Sequence, residues 1–415
     1  MILGLGVWAL LARMLSVDEF GEFSAAMGVA IMVGTLANLG LAQYVTVPFR
    51  AAISTGEFAT ARGLRRVIPW SIALAALLAY VVVLTFHITI DHQSVVRDES
   101  FAAVLALLPL IAIELYLVAT MNLHGAPVRG MFISVPLLAI LEGIGLLVAC
   151  LLVRDSFDLL DAALVWAIAM AIVCILLWRS MLSVEHIGFK SGPRRTRWRA
   201  WTIGVLPYFL YNTSSIVLTQ VPFLVLGWIH ANGREAAMFR AADLLAQGLA
   251  VAGIAGGAIF LPKLADAINA GDRQTTRRIV RRWCLLVGTL NLGGLTLLGI
   301  FGEHLLGIFG TQYRDAYSLL LVIGTSIGVS MTTSVFLNVV QYDGGGRQVI
   351  RTSLTWSGVG LVAMLVLGSR WEALGVAVGQ AGAFFGLYLT LMIKARRSLR
   401  DTADEPNPGM ASGSS

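Results

Sequence analysis

The chain has 415 residues; 57% of them are apolar and only 13% are charged, and the mean hydropathy is +0.79. A soluble domain is roughly half apolar and a quarter charged, so this composition excludes a water-soluble enzyme of this size. The net charge of +6 comes from basic residues in short loops, which argues against a nucleic-acid partner.

Hydropathy predicts an all-α integral membrane protein, because about 20 apolar residues cross a bilayer as one helix. The predicted spans, in chain order, are 1–12, 22–47, 67–90, 101–123, 131–153, 159–178, 202–229, 236–261, 284–301, 316–341, 352–369 and 373–393. The first span is too short to cross ~30 Å of hydrocarbon, so we expect Met1 to fall inside a truncated helix.

The distribution of Lys and Arg predicts the orientation of these spans. Alternate loops hold 23 of the 30 basic residues, and the loops with this excess are expected to be cytoplasmic. Both termini are then inside the cell, and the number of helices is even. The protein is therefore predicted to be a multi-pass protein of the plasma membrane.

The two halves of the chain resemble each other in sequence. Pro48 is matched by Pro262, and Gly56 with its acidic neighbour is matched by Gly271-Asp272, each followed by an Arg-rich run. Six spans per half would make the two repeats parallel, with the substrate path between the halves. We expect an N-terminal lobe at 1–180, a cytoplasmic linker at 181–200, a C-terminal lobe at 201–394 and a disordered cytoplasmic tail at 395–415.

Several motifs resemble those of a known family. They are LARMLSVDEFGEFS at 11–24, LTQVPFLVLGWI at 218–229, AAMFRAADLLAQ at 236–247, LPKLADAINAGDR at 261–273 and LLGIFGTQYRDAYSLLLVI at 305–323. In this order they resemble the polysaccharide-biosynthesis lipid flippases (Wzx type) of the multidrug/oligosaccharidyl-lipid/polysaccharide exporter superfamily. Ser16 departs from the pattern, because the family often has Gly there.

The resemblance implies a V-shaped bundle of two lobes that works by alternating access. Its cargo would be an undecaprenyl-pyrophosphate-linked oligosaccharide, moved from the cytoplasmic to the outer leaflet for O-antigen, capsule or exopolysaccharide synthesis. Its partners would be membrane lipids and the polysaccharide polymerase and glycosyltransferases of the same pathway. The alternative is a cation-coupled, MATE-like multidrug exporter of the same superfamily.

Charged residues inside spans are costly, at ~2.5–3.5 kcal/mol each, and are therefore the first candidates for cargo binding. Arg240 lies in the eighth span, and its planar guanidinium suits a pyrophosphate. The alternative is a structural ion pair with Asp243, three residues farther along the helix. The two roles are compatible if Asp243 only orients the guanidinium. Arg13 is expected near the lobe interface on family pattern and repeat symmetry, with interfacial snorkelling as its alternative.

Uncharged polar residues and two acids complete the candidate set. The side chains expected to line a hydrophilic cavity are Asn38, Asn212, Gln220 and Asn338; interhelical hydrogen bonding is the alternative for each. The membrane-embedded acids Glu114 and Glu142 are candidates for ion coupling, or alternatively for hydrogen bonds to neighbouring helices.

Several chemistries have no support in the sequence. The GGG run at 344–346 lacks the Gly-Lys-Ser/Thr ending of a phosphate-binding loop, and no catalytic constellation is present. The three cysteines stand singly in apolar stretches, so no disulfide framework and no metal site is expected. We therefore predict a membrane transporter without cofactor or enzymatic activity. A membrane-embedded glycosyltransferase or polymerase is disfavoured because the outer loops are short.

Overall fold

The computed structural model describes residues 2–90, 98–152, 157–184, 192–229 and 233–401. The described part of the chain is helical throughout its regular structure and contains no strand. Of the predicted linker and tail, 185–191 and 402–415 lie outside the described residues. The last helix continues to Asp401, so residues 395–401 of the predicted tail are helical; Lys394 and the arginines after it are good helix formers.

The described residues of the first half form six transmembrane elements, three of them interrupted, and the first element, α1, is shorter than a full crossing. Its helices are α1 (Ile2–Met14), α2 (Val17–Ala37), α3 (Leu41–Tyr44), α4 (Thr46–Thr55), α5 (Phe58–Ile90), α6 (Asp98–Leu105), α7 (Leu108–Leu123), α8 (Pro127–Phe132), α9 (Leu138–Leu152) and α10 (Leu159–Val184). One crossing consists of α2 to α4, another of α6 and α7, and a third of α8 and α9 joined by a π-helical turn that contains Pro136.

The second half also forms six crossings. Its helices are α11 (Trp198–Ile229), α12 (Arg234–Ala246), α13 (Ala250–Asn269), α14 (Arg273–Leu306), α15 (Tyr317–Val340) and α16 (Gly346–Asp401). A short 3-10 turn joins α12 to α13, and non-helical backbone at Trp371 and Glu372 divides α16 into two crossings. The described helices thus confirm the predicted fold class of two six-helix lobes in an all-α membrane protein, and α1 is the short apolar helix expected at the start.

Local sequence determines where these helices begin. Ser16 and Glu19 form a capping box at the start of α2, with the Glu19 N–H donating to Ser16 Oγ at 3.3 Å and the Ser16 N–H donating to Glu19 Oε2 at 3.0 Å. Asp272 caps α14 by accepting the Thr275 N–H at 2.9 Å. Gly56 and Gly271 precede the two Arg-rich helices with left-handed backbone, which supports the internal repeat.

The bundle has two chemically different ends. We call the end at which α5 and α14 begin the basic end, since Arg62, Arg65 and Arg66 lie on the first turns of α5 and Arg277 and Arg281 on those of α14. The other end, where α1 turns into α2, is called the opposite end. The cytoplasmic location of the basic end remains a prediction from the charge bias.

The two lobes touch along α2, which packs antiparallel to α11. At the opposite end the backbones are so close that a Cβ on Gly21 would lie 1.8 Å from the Gly233 carbonyl oxygen. Farther along, Gly28 faces the side chain of Phe223. Small residues permit this close approach, which is the usual way that membrane helices gain packing energy. The contact of α2 with α11, extended by Gly233 just before α12, is therefore the central contact between the lobes.

Candidate functional site

The Arg240 guanidinium lies in a closed seam between the lobes at the opposite end. Only 4% of the residue is exposed, and its Nη2 donates to the Ser24 carbonyl oxygen on α2 at 3.2 Å. Its Cζ lies 3.7 Å from the centroid of the Phe223 ring and 5.0 Å from that of Trp8. One charged side chain of the second lobe therefore contacts α1 and α2 of the first lobe together with α11 of its own lobe.

The seam holds the cation mainly through aromatic faces. A desolvated cation–π contact contributes about 2 kcal/mol, which helps to offset the burial of the charge. Arg240 Nε is buried and has no hydrogen-bond partner among the described residues. The guanidinium thus keeps an unused donor and faces protein groups rather than lipid. In this conformation Arg240, the residue predicted to bind the cargo, lies in a closed contact between the lobes and not in a cavity.

Asp243 lies beside Arg240 on the same helix, and its carboxylate accepts a hydrogen bond from another residue. Gln247 Nε2 donates to Asp243 Oδ2 at 2.8 Å, one helical turn farther along. Among the described residues, the guanidinium and this carboxylate share no hydrogen bond. The structural ion pair considered above is therefore absent as a direct contact, although both residues are buried close together on α12.

Arg13 makes a second contact between the lobes at the opposite end. Its Nε donates to the Ile308 carbonyl oxygen, just after α14, at 2.7 Å. Nearby, Phe20 and Tyr313 pack edge to face with their ring centroids 5.9 Å apart. The sequence expectation that Arg13 is near the lobe interface agrees with this geometry. Together with Arg240, it holds the opposite end closed.

Toward the basic end, the lobes separate and leave a cavity of about 770 Å³, which we call the interlobe groove. The first lobe contributes Arg50, which is on α4. The second lobe contributes Asn338 on α15 and a wall of small and apolar residues on α13, which includes Gly253, Ile254 and Gly257. Ile254 is 65% exposed, so this wall is open rather than packed.

The structure brings only some of the predicted polar residues to the lobe contact. Asn338 lines the interlobe groove, and Asn212 Nδ2 donates across the lobes to Gln43 Oε1 at 3.1 Å. Gln220 lies on α11, and its Oε1 is buried without a partner among the described residues. Asn38 is satisfied within its own lobe, since it donates to the Ala112 carbonyl oxygen and accepts the Ala42 N–H.

The two embedded acids lie inside the first lobe and not in the groove. Glu114 on α7 accepts a short hydrogen bond from the Ser134 hydroxyl, which belongs to the π-helical turn before α9. Glu142 on α9 is buried, and its charge would repel that of Glu114. The described residues contain no group of three potential metal ligands, so no metal centre is assigned.

Sequence reasoning missed Arg50 and the aromatic partners of Arg240. Arg50 was counted only as a loop charge, although it follows Pro48 in the segment that repeats around Pro262. Phe223 stands within one of the motifs that carry the family resemblance, yet nothing in the linear pattern says that its ring faces a guanidinium. Contacts of this kind join α11 to α12 and are set by tertiary packing.

Solved structures of several membrane transporters share this fold. An inward-facing MATE-family multidrug resistance transporter of the MOP superfamily superposes with a TM-score of 0.74 at 13% identity, covering 98% of this chain and 95% of its own. The lipid II flippase MurJ, in an inward closed conformation, gives 0.75 at 13% identity, covering 95% and 85%. A MOP superfamily transporter from Pyrococcus furiosus, described as having a binding pocket of reverse polarity, gives 0.59 at 13% identity, covering 97% and 95%.

No protein-family model matches the chain, and no curated protein sequence matches it. At these identities the likeness shows the fold alone. The chain therefore shares the fold of these solved structures, which include a multidrug transporter and a lipid flippase.

Proposed function

We propose that this protein is a flippase for an oligosaccharide linked through pyrophosphate to a polyprenol. The observation that carries the proposal is the interlobe groove, whose lining combines Arg50 with an open apolar wall on α13. A guanidinium suits the phosphate oxygens, and a wall of Gly, Ala and Ile suits an isoprenoid chain. The groove volume of about 770 Å³ is within the usual range for ligand sites, so it fits the headgroup end of such a lipid.

The closed seam supplies the second half of an alternating-access cycle. With the groove open at the basic end and Arg240 and Arg13 joining the lobes at the opposite end, the structure has the asymmetry that such a cycle needs. Opening the seam would free Arg240 from the two aromatic rings and expose its unused donor to the cargo. The pyrophosphate would then pass from Arg50 to Arg240, with Asp243, Asn212, Gln220 and Asn338 along the polar path.

The direction and the cellular role follow from the charge bias and the family resemblance. The basic end would be cytoplasmic, both termini would be inside, and the cargo would leave toward the outer leaflet of the plasma membrane. There its glycan would enter O-antigen, capsule or exopolysaccharide synthesis. The protein would be a transporter and not an enzyme.

A multidrug exporter is the second candidate, because the first lobe holds two acids that suit coupling to a cation. Glu142 is buried and Glu114 is partly buried, and they lie on two helices of the same lobe. The MATE-family structures above have the same fold. A flippase driven by an ion gradient would also use such acids. The two candidate functions are therefore distinguished by the transported substrate and not by ion coupling.

The experiment reconstitutes the purified chain in liposomes with two cargoes in parallel. One is undecaprenyl pyrophosphate carrying a biotinylated disaccharide, captured by streptavidin when it reaches the other leaflet; the other is the fluorescent cation ethidium. The proposal predicts flipping of the glycolipid and no movement of ethidium above that of empty liposomes. Ethidium transport without glycolipid flipping would overturn it in favour of the exporter.

A further inference from the structure

Two basic pockets lie on the basic end outside the interlobe groove, one in each lobe. The first is a cavity of about 540 Å³ whose lining includes Arg62, Arg65, Arg66 and Arg194. The second is a cavity of about 510 Å³ whose lining includes Arg277, Arg281 and Arg396. Among the described residues, the lining of each pocket includes arginines and no acidic side chain, so each pocket concentrates positive charge.

The two pockets correspond through the internal repeat. When Gly56 is aligned with Gly271, the pocket residues Arg62, Arg66 and Pro69 of α5 fall on Arg277, Arg281 and Cys284 of α14, which line the second pocket. Arg65 likewise falls on Val280, so four lining positions are shared in identical register. A chance surface cluster would not be expected to recur in this way.

In each pocket, one of the lining arginines donates a hydrogen bond to a backbone carbonyl oxygen. Arg62 Nε donates to the Pro193 carbonyl oxygen at 2.9 Å, which ties the segment after the sixth crossing of the first lobe to α5. Arg277 Nη2 donates to the Leu399 carbonyl oxygen at 2.6 Å, which ties the end of the sixth crossing of the second lobe to α14. Arg62 and Arg277 thus each hold a backbone carbonyl, and Arg66 and Arg281 line the same two pockets.

The surroundings indicate what kind of ligand these pockets would take. Trp70 and Trp178 line the first pocket and are 75% and 43% exposed. Exposed tryptophans next to arginines are typical of the level of the lipid headgroups. Basic pockets between membrane helices on the cytoplasmic side bind anionic phospholipids, which offer phosphodiester oxygens to the arginines and acyl chains to the apolar surface.

We infer that each lobe holds one anionic phospholipid by its headgroup, at Arg66 in the first lobe and at Arg281 in the second. The two lipids stabilise the Arg62–Pro193 and Arg277–Leu399 contacts, because each headgroup lies beside one of these Arg-to-carbonyl hydrogen bonds. These sites are separate from the interlobe groove and do not depend on the identity of its cargo.

Native mass spectrometry of the full chain in neutral detergent tests the inference, with cardiolipin as the probe and phosphatidylcholine as the neutral control. We expect two tightly bound cardiolipin molecules on the wild type, one on Arg66→Gln, one on Arg281→Gln and none on the double variant. Each substitution should weaken its own site about fivefold or more. Arg347→Gln, an exposed change at the same end that lines neither pocket, should leave both lipids bound.

A second measurement does not depend on removing an arginine. Brominated phosphatidylglycerol in vesicles should quench the tryptophan fluorescence of the wild type, and Trp70→Phe should lose a distinct part of that quenching. Equal lipid binding by the double variant and the wild type, or equal binding of phosphatidylcholine and cardiolipin, would overturn the inference. Equal quenching in the Trp70→Phe variant would contradict the placement of the first site.

Discussion

The Arg240 guanidinium stacks on the Phe223 ring at 3.7 Å, and both side chains are buried where the two lobes meet. This pair joins α12 to α11, while the hydrogen bond from Arg240 to Ser24 reaches the other lobe. A charge that is buried among rings at a lobe contact stabilises one conformation and is costly to expose without a new partner. Under the proposed function, opening the seam and binding the cargo would both act on Arg240.

The Arg240–Phe223 pair should show energetic coupling in a double-mutant cycle. Arg240→Lys replaces the planar guanidinium with a compact ammonium, and Phe223→Leu removes the aromatic face. From thermal unfolding in detergent, we expect a coupling free energy of about 1–2 kcal/mol. As a control, Arg240→Lys should be additive with Phe336→Leu, which lies in a separate core cluster. Additivity in the first cycle would show that the stacking contributes no stability.

The Gly21–Gly233 approach predicts that a small side chain will open the seam. Gly21→Ala places a methyl group against the Gly233 carbonyl, and overpacking of this kind costs about 1–3 kcal/mol. In a background without native cysteines, Ser24→Cys should react faster with a water-soluble maleimide when Gly21→Ala is present. Gly293→Ala, where the added Cβ meets nothing within 4 Å, should leave the labelling rate unchanged. Unchanged labelling in Gly21→Ala would show that the closed seam tolerates the methyl group.

The Asp272 cap makes one contribution to stability dependent on pH. The Thr275 hydroxyl donates to the Asp272 carboxylate at 2.6 Å and, with the Thr275 N–H, holds the pKa of Asp272 below its ordinary value. This contribution is present above about pH 4, where the unfolded-state carboxyl is also ionised, and is lost as the pH falls through the lowered pKa. Asp272→Ala should lower the melting temperature at pH 7, and the difference from wild type should shrink below pH 4.

Asp272→Asn serves as the matched variant, because Asn is an equally good cap and does not titrate. Its melting temperature should stay near that of the wild type at pH 7. A difference between Asp272→Ala and wild type that is constant from pH 7 to pH 3 would contradict the role of the ionised carboxylate.

The buried acids of the first lobe should determine ion coupling if transport is gradient-driven. Glu114→Gln and Glu142→Gln keep the shape of the side chains and remove the titratable group. We expect proteoliposomes with either variant to lose the acceleration that a proton gradient gives to transport, while cargo binding is retained. Glu303→Gln, an exposed acid at the opposite end, should keep the acceleration. If both variants respond to the gradient as the wild type does, these acids are structural.

The architecture was readable from the sequence, because a hydrocarbon layer selects runs of about 20 apolar residues whatever their partners. The predicted spans followed from these apolar runs. The internal repeat was inferred separately, from matched residues such as Pro48 and Pro262. The site was only partly readable. Arg240 was identified because a charge within an apolar run is conspicuous, but its stacking on Phe223 depends on how α11 and α12 pack. Arg50 was missed because a charge near a helix end resembles any loop arginine.

Asn38 was predicted to line the cavity but is hydrogen-bonded within its own lobe. Its amide donates to the Ala112 carbonyl oxygen on α7 and accepts the Ala42 N–H at the start of α3. The sequence shows that a buried amide needs partners, but it does not show whether those partners are backbone groups or a substrate.

The central claim is that Arg50 binds the phosphate end of a lipid-linked cargo in the interlobe groove. Its most direct test is the rate at which biotinylated undecaprenyl-pyrophosphate disaccharide crosses the bilayer of proteoliposomes containing wild type, Arg50→Lys or Arg50→Ala. Arg129→Ala is the control, since Arg129 Nη1 donates to Ser183 within the first lobe and lines no part of the groove. We predict a loss of about tenfold or more for Arg50→Ala, a smaller loss for Arg50→Lys and none for Arg129→Ala. A wild-type rate for Arg50→Ala would contradict the claim.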